Sequence, residues 1–343
     1  MKILGIESSC DETGVAIVEN GTTLLGNALA SSMDIHAQFG GVVPEIAARS
    51  HIESFIPVIE QAFTDSGLGW SDIDGIAITT GAGLLGSLLI GILTARTLAI
   101  IKNKPLYSIN HVEAHIYANF LVEPVPSFPV LSLIVSGGHS QLVYFKDHHD
   151  YQVLGQTKDD AVGEAFDKVA KILGLSYPGG PSIAKAALSG DPYAYDLPKA
   201  KVDKIYDFSF SGLKTAVLRV AQQVVGGDFR TPSTELPNRL SEKQKLDIAA
   251  SFQRIAIETL VEKTMLAYKE YQPKTVVIAG GVAANQELRR QLTDALPLNI
   301  TYAPPALCTD NGAMVAALGY FKVKSNKEKS DPYKLEACPN LKM

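Results

Sequence analysis

Residues 110–117 read Asn-His-Val-Glu-Ala-His-Ile-Tyr and set two imidazoles, His111 and His115, four positions apart. On a helix that spacing turns both rings to one face, where a single ion can bridge them. A zinc peptidase of the H-E-x-x-H kind needs its glutamate directly after the first histidine, in reach of the metal-bound water. Here the glutamate comes one place late, and at about 100° per residue Glu113 lies about 200° round from His111. Another role suits it: Asn110 reads as an N-cap and Glu113 as the third helical residue, the capping-box spacing. The pair is therefore either a metal site without a peptidase base or two histidines satisfied by ordinary hydrogen bonds. A third ligand would favour the first reading. Residues 307–312, Leu-Cys-Thr-Asp-Asn-Gly, offer Asp310 at the start of the last helical stretch, as an N-cap or as that ligand. Two histidines and one carboxylate leave open positions on an ion and suit iron or zinc. Cys308 reads as a small buried residue and not as a ligand.

Three loops place small or polar residues where a strand should end. In residues 6–14, Ile-Glu-Ser-Ser-Cys-Asp-Glu-Thr-Gly, Ser8, Ser9 and backbone amides suit phosphate, and Asp11 and Glu12 suit a cation. In residues 135–141, Val-Ser-Gly-Gly-His-Ser-Gln, paired glycines let backbone N–H groups approach a phosphate. In residues 278–292 two glycines follow an apolar run and Asn285 opens a helix, which suits a nucleotide with the side-chain amide on its ribose or base. Each loop alone is more often a plain turn; together they read as a nucleotide site.

The elements that must position these loops follow from the patterning. Lys2–Ser9, Thr13–Glu19 and Thr22–Leu29 are apolar runs bounded by turn residues, with Asn20-Gly21 as the hairpin turn between the second and third. A helical pattern from about Pro44 to Ser66, interrupted by Pro57, precedes a strand Gly75–Thr80, a Gly-Ala-Gly loop and a helix through Ile101. The same order recurs: a meander from Val130 to Thr157, helices, a strand over Thr275–Ala279, a helix from about Asn285, a strand Ile300–Ala303 and a last helix from Asp310. Two related α/β domains with a cleft between them are expected. They are drawn at residues 1–105, with the helix 310–323 packing back, and 106–309, with an insertion over 177–240; residues 324–343 form a tail.

The composition agrees with a globular enzyme: 343 residues, 46% hydrophobic, 20% charged, net charge −5. That charge argues against non-specific nucleic-acid binding. The three cysteines are too few and scattered for a disulfide framework. The start turns acidic before an apolar signal region forms, and the uncharged stretch from Gly75 to Ala95 is broken by Thr-Thr-Gly-Ala-Gly, so a cytoplasmic protein with no membrane segment is expected. The tail carries six lysines over residues 322–343 and reads as solvated and frayed.

The strings GIESSCDET, GGVVPEIAARSHI, NHVEAH, LIVSGGHSQL, DDAVGEAFDKVAKILGL followed by YPGGP, DFSFSGLKTAV, AGGVAANQELR and CTDNGAM occur in order over about residues 1–320. Together they resemble the TsaD family of tRNA threonylcarbamoyladenosine transferases, once described as glycoproteases. The resemblance implies the actin, hexokinase and heat-shock chaperone ATPase fold: two related actin-like domains with a nucleotide cleft. It implies transfer of the threonylcarbamoyl group from threonylcarbamoyl-adenylate to N6 of the adenosine beside the anticodon in tRNAs reading ANN codons, with release of AMP. It further implies one Fe2+ or Zn2+ on His111, His115 and Asp310, and adenylate contacts from Ile134, Val135, Ser136, Gly137, Gly138, Asp167, Gly180 and Asn285. Asp11 and Glu12 are candidate catalytic groups. His139 is a contact to the reacting group or simply the start of the next strand, and Asp167 without the resemblance reads as an exposed i,i+4 partner of Lys171. The resemblance also implies a TsaB-like paralogue and a TsaE-like ATPase as partners beside tRNA, leaves room for ATP with Mg2+, and allows a homodimer in isolation. Ala184 and Ala82 depart from the family's aspartate and proline. A small-molecule kinase or ATPase of the same superfamily, which would leave the histidines idle, and a silent scaffold are the alternatives.

Overall fold

The computed structural model describes residues 1–343, which divide into two compact units: residues 1–127, 147–150 and 301–343 form the first, and residues 128–146 and 151–300 the second. The first unit is built on β1 (Lys2–Glu7), β2 (Glu12–Glu19), β3 (Thr23–Ser31), β4 (Gly75–Gly81) and β5 (Leu106–Asn110). β1, β2 and β3 form the expected antiparallel meander, and β4 and β5 join in parallel beyond β1, in the order β3-β2-β1-β4-β5. The turn between β2 and β3 holds Asn20 and Gly21 at φ of 53° and 75°, the left-handed values that an Asn-Gly pair tolerates.

Period-two alternation divides β1 between two layers. Leu4 and Ile6 join a core with Phe55, Val58, Leu88 and Ile92, which come from the helices Pro44–Ser66 and Leu85–Ile101. Ile3 and Gly5 face the helix Gly312–Lys324: an added Cβ on Gly5 would lie 2.2 Å from the Gly312 carbonyl, and one on Gly319 would lie 3.2 Å from Ile3 Cγ2. Small residues thus let the last helix lie directly on the sheet, which is why β1 is buried on both faces.

The second unit repeats the plan with β6 (Val130–Val135), β7 (Ser140–Asp147), β8 (Asp150–Gln156), β9 (Thr275–Ala279) and β10 (Ile300–Tyr302), ordered β8-β7-β6-β9-β10. β6 pairs antiparallel with β7 and parallel with β9, as β1 does with β2 and β4. The two sheets therefore share one topology. The helices Val162–Leu173, Gly179–Ala187, Ser211–Val224, Glu242–Tyr271 and Gln286–Ala295 belong to this unit. No helix is long and apolar enough to cross a membrane, and the uncharged stretch from Gly75 is the strand, loop and helix its sequence implies.

Three expectations need correction. The helix Pro44–Ser66 is continuous through Pro57. Pro57 and Glu53 both lie on its exposed side, where water can take the carbonyl that the missing proline N–H leaves free. The last helix begins at Gly312 with Asn311, not Asp310, as its N-cap: Asn311 Oδ1 accepts from Met314 N at 3.0 Å. The lysine-rich tail is strapped down rather than frayed. Ser330 pairs with Leu106 at the edge of β5, Cys338 N donates to Thr80 O at 2.7 Å, and Asn110 Nδ2 donates to Lys342 O at 3.1 Å. Arg96 also donates to the carbonyls of Pro332 and Tyr333. An edge strand offers unpaired backbone groups, and here the chain's own tail takes them up.

Candidate functional site

β5 ends at Asn110, whose side chain accepts from Val112 N and Glu113 N and so starts the short helix His111–Tyr117. The two histidine rings follow on one face with centroids 4.6 Å apart. Because Asn311 does the capping of the last helix, the carboxylate of Asp310 is released for other work. Its Oδ1 lies 3.6 Å from His111 Nε2 and 3.4 Å from His115 Nε2. The three candidate ligand atoms all lie within 4.8 Å of one another, and all three residues belong to the first unit. Glu113 is not part of this group. The expected capping box is half made: Glu113 turns to His149, with Oε1 3.1 Å from Nδ1. Both line a separate cavity of about 250 Å³ with Asn110, Lys322 and Leu341, on whose walls none of the three candidate ligands appears.

The electrostatics around the three residues are those of a cation site. Burial pushes the Glu12 carboxyl up, and repulsion from Asp310, Asp11 and Glu7 pushes it further, to about 9. Burial and the same crowding with Glu7 and Asp11 raise Asp310 to about 6, against the pull of His111. Burial alone would lower His111, but Asp310 and Glu7 raise it to about 9. Several carboxyl groups thus compete for too little positive charge. A divalent ion would relieve that deficit, and two imidazoles with one carboxylate are donors that iron and zinc accept. The residues present fit such an ion. Asp11 is half-buried on the turn before β2, and its backbone carbonyl accepts from Ser32 N at 3.1 Å and Ser32 Oγ at 2.8 Å.

The remaining candidates all lie in the second unit. Ile134 and Val135 are buried at the end of β6, so only their backbone is available to a ligand. Ser136 closes the turn before β7: its N donates to His139 O at 2.8 Å, and its Oγ accepts from His139 N at 3.1 Å. Gly137 and Gly138 between them are open, with nothing within 4 Å of where a Cβ would stand. Asp167 does not serve as a surface partner of Lys171. It is half-buried and accepts from Gly179 N at 2.6 Å, holding the start of the helix Gly179–Ala187, on which Gly180 is likewise open. Asn285 caps the helix Gln286–Ala295 through Leu288 N at 3.1 Å, and its Nδ2 donates to Gln253 Oε1 at 2.9 Å. Both ends of that amide are therefore already engaged within the unit.

Residues 23–317 match the model of the family TsaD, tRNA N6-adenosine threonylcarbamoyltransferase. The chain belongs to the TsaD family. A tRNA N6-adenosine threonylcarbamoyltransferase of Symbiobacterium thermophilum is 50% identical over 322 residues, covering 93% of this chain and 91% of its own. That of Desulfitobacterium hafniense is 49% identical and covers 100% of this chain and 98% of its own. Among solved structures, full-length HypF superposes with a TM-score of 0.61 at 14% identity, covering 94% of this chain and 56% of its own. Component A of the (R)-2-hydroxyglutaryl-CoA dehydratase of Acidaminococcus fermentans does so with 0.53 at 18% identity, covering 94% and 99%. At those identities the likeness speaks for the fold alone, which is the actin-like ATPase type expected of a TsaD chain.

Two residues near these sites escape a sequence reading. Glu7 looks like the last residue of an apolar strand, yet it is fully buried, with its carboxylate 3.3 Å from His111 Nδ1. Asp159 accepts from Phe210 N, Ser211 N and the hydroxyls of Ser209 and Ser211 at 2.6–3.2 Å, and so anchors the start of the helix Ser211–Val224. The signal available for Asp159 was its place just before a glycine-containing helix start; nothing in the spacing names its partners fifty residues away.

Proposed function

We propose that this chain transfers the threonylcarbamoyl group of threonylcarbamoyl-adenylate to N6 of the adenosine beside the anticodon in tRNAs reading ANN codons. In that reaction N6 attacks the carbamoyl carbon, a C–N bond forms, the C–O bond to the phosphate breaks, AMP leaves with the electron pair, and N6 loses a proton. The observation that carries the reading is a His111, His115 and Asp310 group with its donor atoms within 4.8 Å, in a chain half identical over nearly its whole length to transferases of that name.

An Fe2+ or Zn2+ on those three side chains would supply Lewis-acid polarisation of the transferred carbonyl. The chain's own residues do the rest. The backbone of the Ile134–Gly138 loop orients the adenylate, since Gly137 and Gly138 leave their N–H groups open to close approach. Asp167 holds the helix that carries Gly180 against that ligand. Asp11 and Glu12 act beside the ligand set. His139 contacts the reacting group.

Work with a TsaB-like paralogue and a TsaE-like ATPase is supported by an exposed apolar face on the first unit. Ile52 and Ile56 on one helix, and Leu85, Leu89 and Leu93 on the helix packed beside it, are 44–68% exposed. A patch of that kind marks an interaction surface. The decisive experiment is nucleoside analysis of tRNA after incubation of the chain with threonine, bicarbonate, ATP and the partner proteins. Threonylcarbamoyladenosine that depends on this chain is the expected product; its absence, with ATP consumed on a small-molecule acceptor, would favour a kinase instead.

A further inference from the structure

The sheet register brings an unexpected carboxylate to the candidate metal set. β1 and β4 pair Ile6 with Ile78, and β4 and β5 pair Thr79 with Ile109. One step further out Glu7 stands beside Thr79, and the partner of Thr79, Ile109, lies two residues before His111. Glu7 has no exposure to water. Its Oε1 accepts from Ser9 N at 2.6 Å, and its Oε2 accepts from Thr79 Oγ1 at 2.6 Å and faces His111 Nδ1 at 3.3 Å. Ser9 Oγ is also 3.1 Å from that nitrogen.

A carboxylate withdrawn from water is costly unless every neighbour donates to it. Here a backbone N–H and a hydroxyl do so, and a ring nitrogen of His111 stands 3.3 Å away. An ionised carboxylate only accepts, so the ring nitrogen facing it must carry a proton. That leaves the other nitrogen, Nε2, as the side of the ring turned to Asp310, where His115 also presents its Nε2. We propose that Glu7 is a positioning residue for the His111, His115 and Asp310 set, fixing the His111 ring with its proton on Nδ1 and Nε2 toward the ion. Histidine ligands are oriented and made more basic by such a partner. The role rests on the metal set of the proposed function; Glu7 itself touches neither ion nor substrate.

The test uses the full chain, freed of metal and titrated with Co2+, which reports ligation by its visible absorption. Wild type should bind one Co2+, His115→Ala should lose it, and Glu7→Gln should bind it about 10–100-fold more weakly. In the Co2+- or Zn2+-loaded protein, the His111 Nδ1–H proton should be slow to exchange, and Glu7→Gln should speed its exchange. A merely structural Glu7 would lower the thermal midpoint and move neither readout, and that outcome would overturn the role. Should Glu7→Gln fail to fold, Thr79→Val decides: it removes one donor to the carboxylate, a smaller loss of Co2+ affinity is expected, and an unchanged affinity would again overturn it. A wild-type chain that takes up no Co2+ would overturn the metal set together with this role, whereas wild-type uptake with unchanged variants would overturn the role alone.

Discussion

The two turns that follow the first strand of each sheet occupy the same place in one topology and have been built in opposite ways. The turn from β1 to β2 is packed solid: Ser8 and Ser9 are buried, and an added Cβ on Gly83 would lie 2.5 Å from Ser9 O. The turn from β6 to β7 is open, with nothing within 4 Å of where a Cβ on Gly137 or Gly138 would stand. A filled turn fixes side chains to a fraction of an ångström, which ligands of a metal require. An empty turn offers backbone amides to something from outside. On the proposed function, the duplicated architecture is divided between holding an ion and receiving a ligand.

The largest effect should come from the packed side. His115→Ala removes one of three ligands, and it should cost at least about 100-fold in metal affinity and abolish tRNA modification while the far-ultraviolet dichroism stays native. Metal analysis and nucleoside analysis check it together; normal metal content in the purified variant would break the comparison at its base. Next come matched glycine substitutions. Gly83→Ala meets the Ser9 carbonyl and a φ of +155°, and should destabilise by about 1–3 kcal/mol. Gly137→Ala has room and an ordinary φ, so its stability should stay within about 0.5 kcal/mol of wild type. Its larger relative, Gly137→Val, should weaken binding of a non-hydrolysable adenylate by steric cover of the amides, not by strain. Equal stability losses in the two alanine variants, read by thermal melts, would erase the distinction.

Behind the open turn, firmness comes from Asp159. Burial would raise its carboxyl, but hydrogen bonds from Ser209, Ser211 and the backbone at Phe210 and Ser211 hold it below the usual range. A carboxyl lowered in the folded state adds stability above its unfolded pKa and loses it as pH falls through the folded value. Because Asp159 is exposed and water screens its carboxylate, Asp159→Asn should cost no more than about 1 kcal/mol at pH 7, and the gap to wild type should close as pH falls below about 4. Urea titrations at stepped pH measure this, and a gap that widens in acid would contradict it. Smallest of all should be Glu113→Gln. An amide oxygen can still accept from His149, so a change of about 1 kcal/mol or less is expected with metal content unaltered. Loss of the metal there would tie Glu113 to the ligand set.

How much of this was legible in the sequence depends on whether a feature is local. The Asn-Gly turn, both meanders and the cap at Asn110 could be read because turn and cap chemistry lies within four residues, whereas Asn285, read for a nucleotide, is a cap as well. The last helix was misread by one position, since Asp310 and Asn311 are both good caps and only the packed fold decides which is spare. Glu7 was invisible because a strand period records which face a residue takes and not which strand lies beside it. The tail misled through composition: lysines promise solvent, but its anchors are backbone carbonyls and N–H groups, which every residue carries alike.

The last helix resting on β1 through Gly5 and Gly312 has a consequence for how the molecule comes into being. The strands of its sheet precede the second unit in the chain, whereas Asp310 follows it. A growing polypeptide on the ribosome therefore carries His111 and His115 without Asp310 until the second unit has been made. Only a chain grown past the second unit can close the set, so an ion held by all three residues would be captured late and would mark that passage.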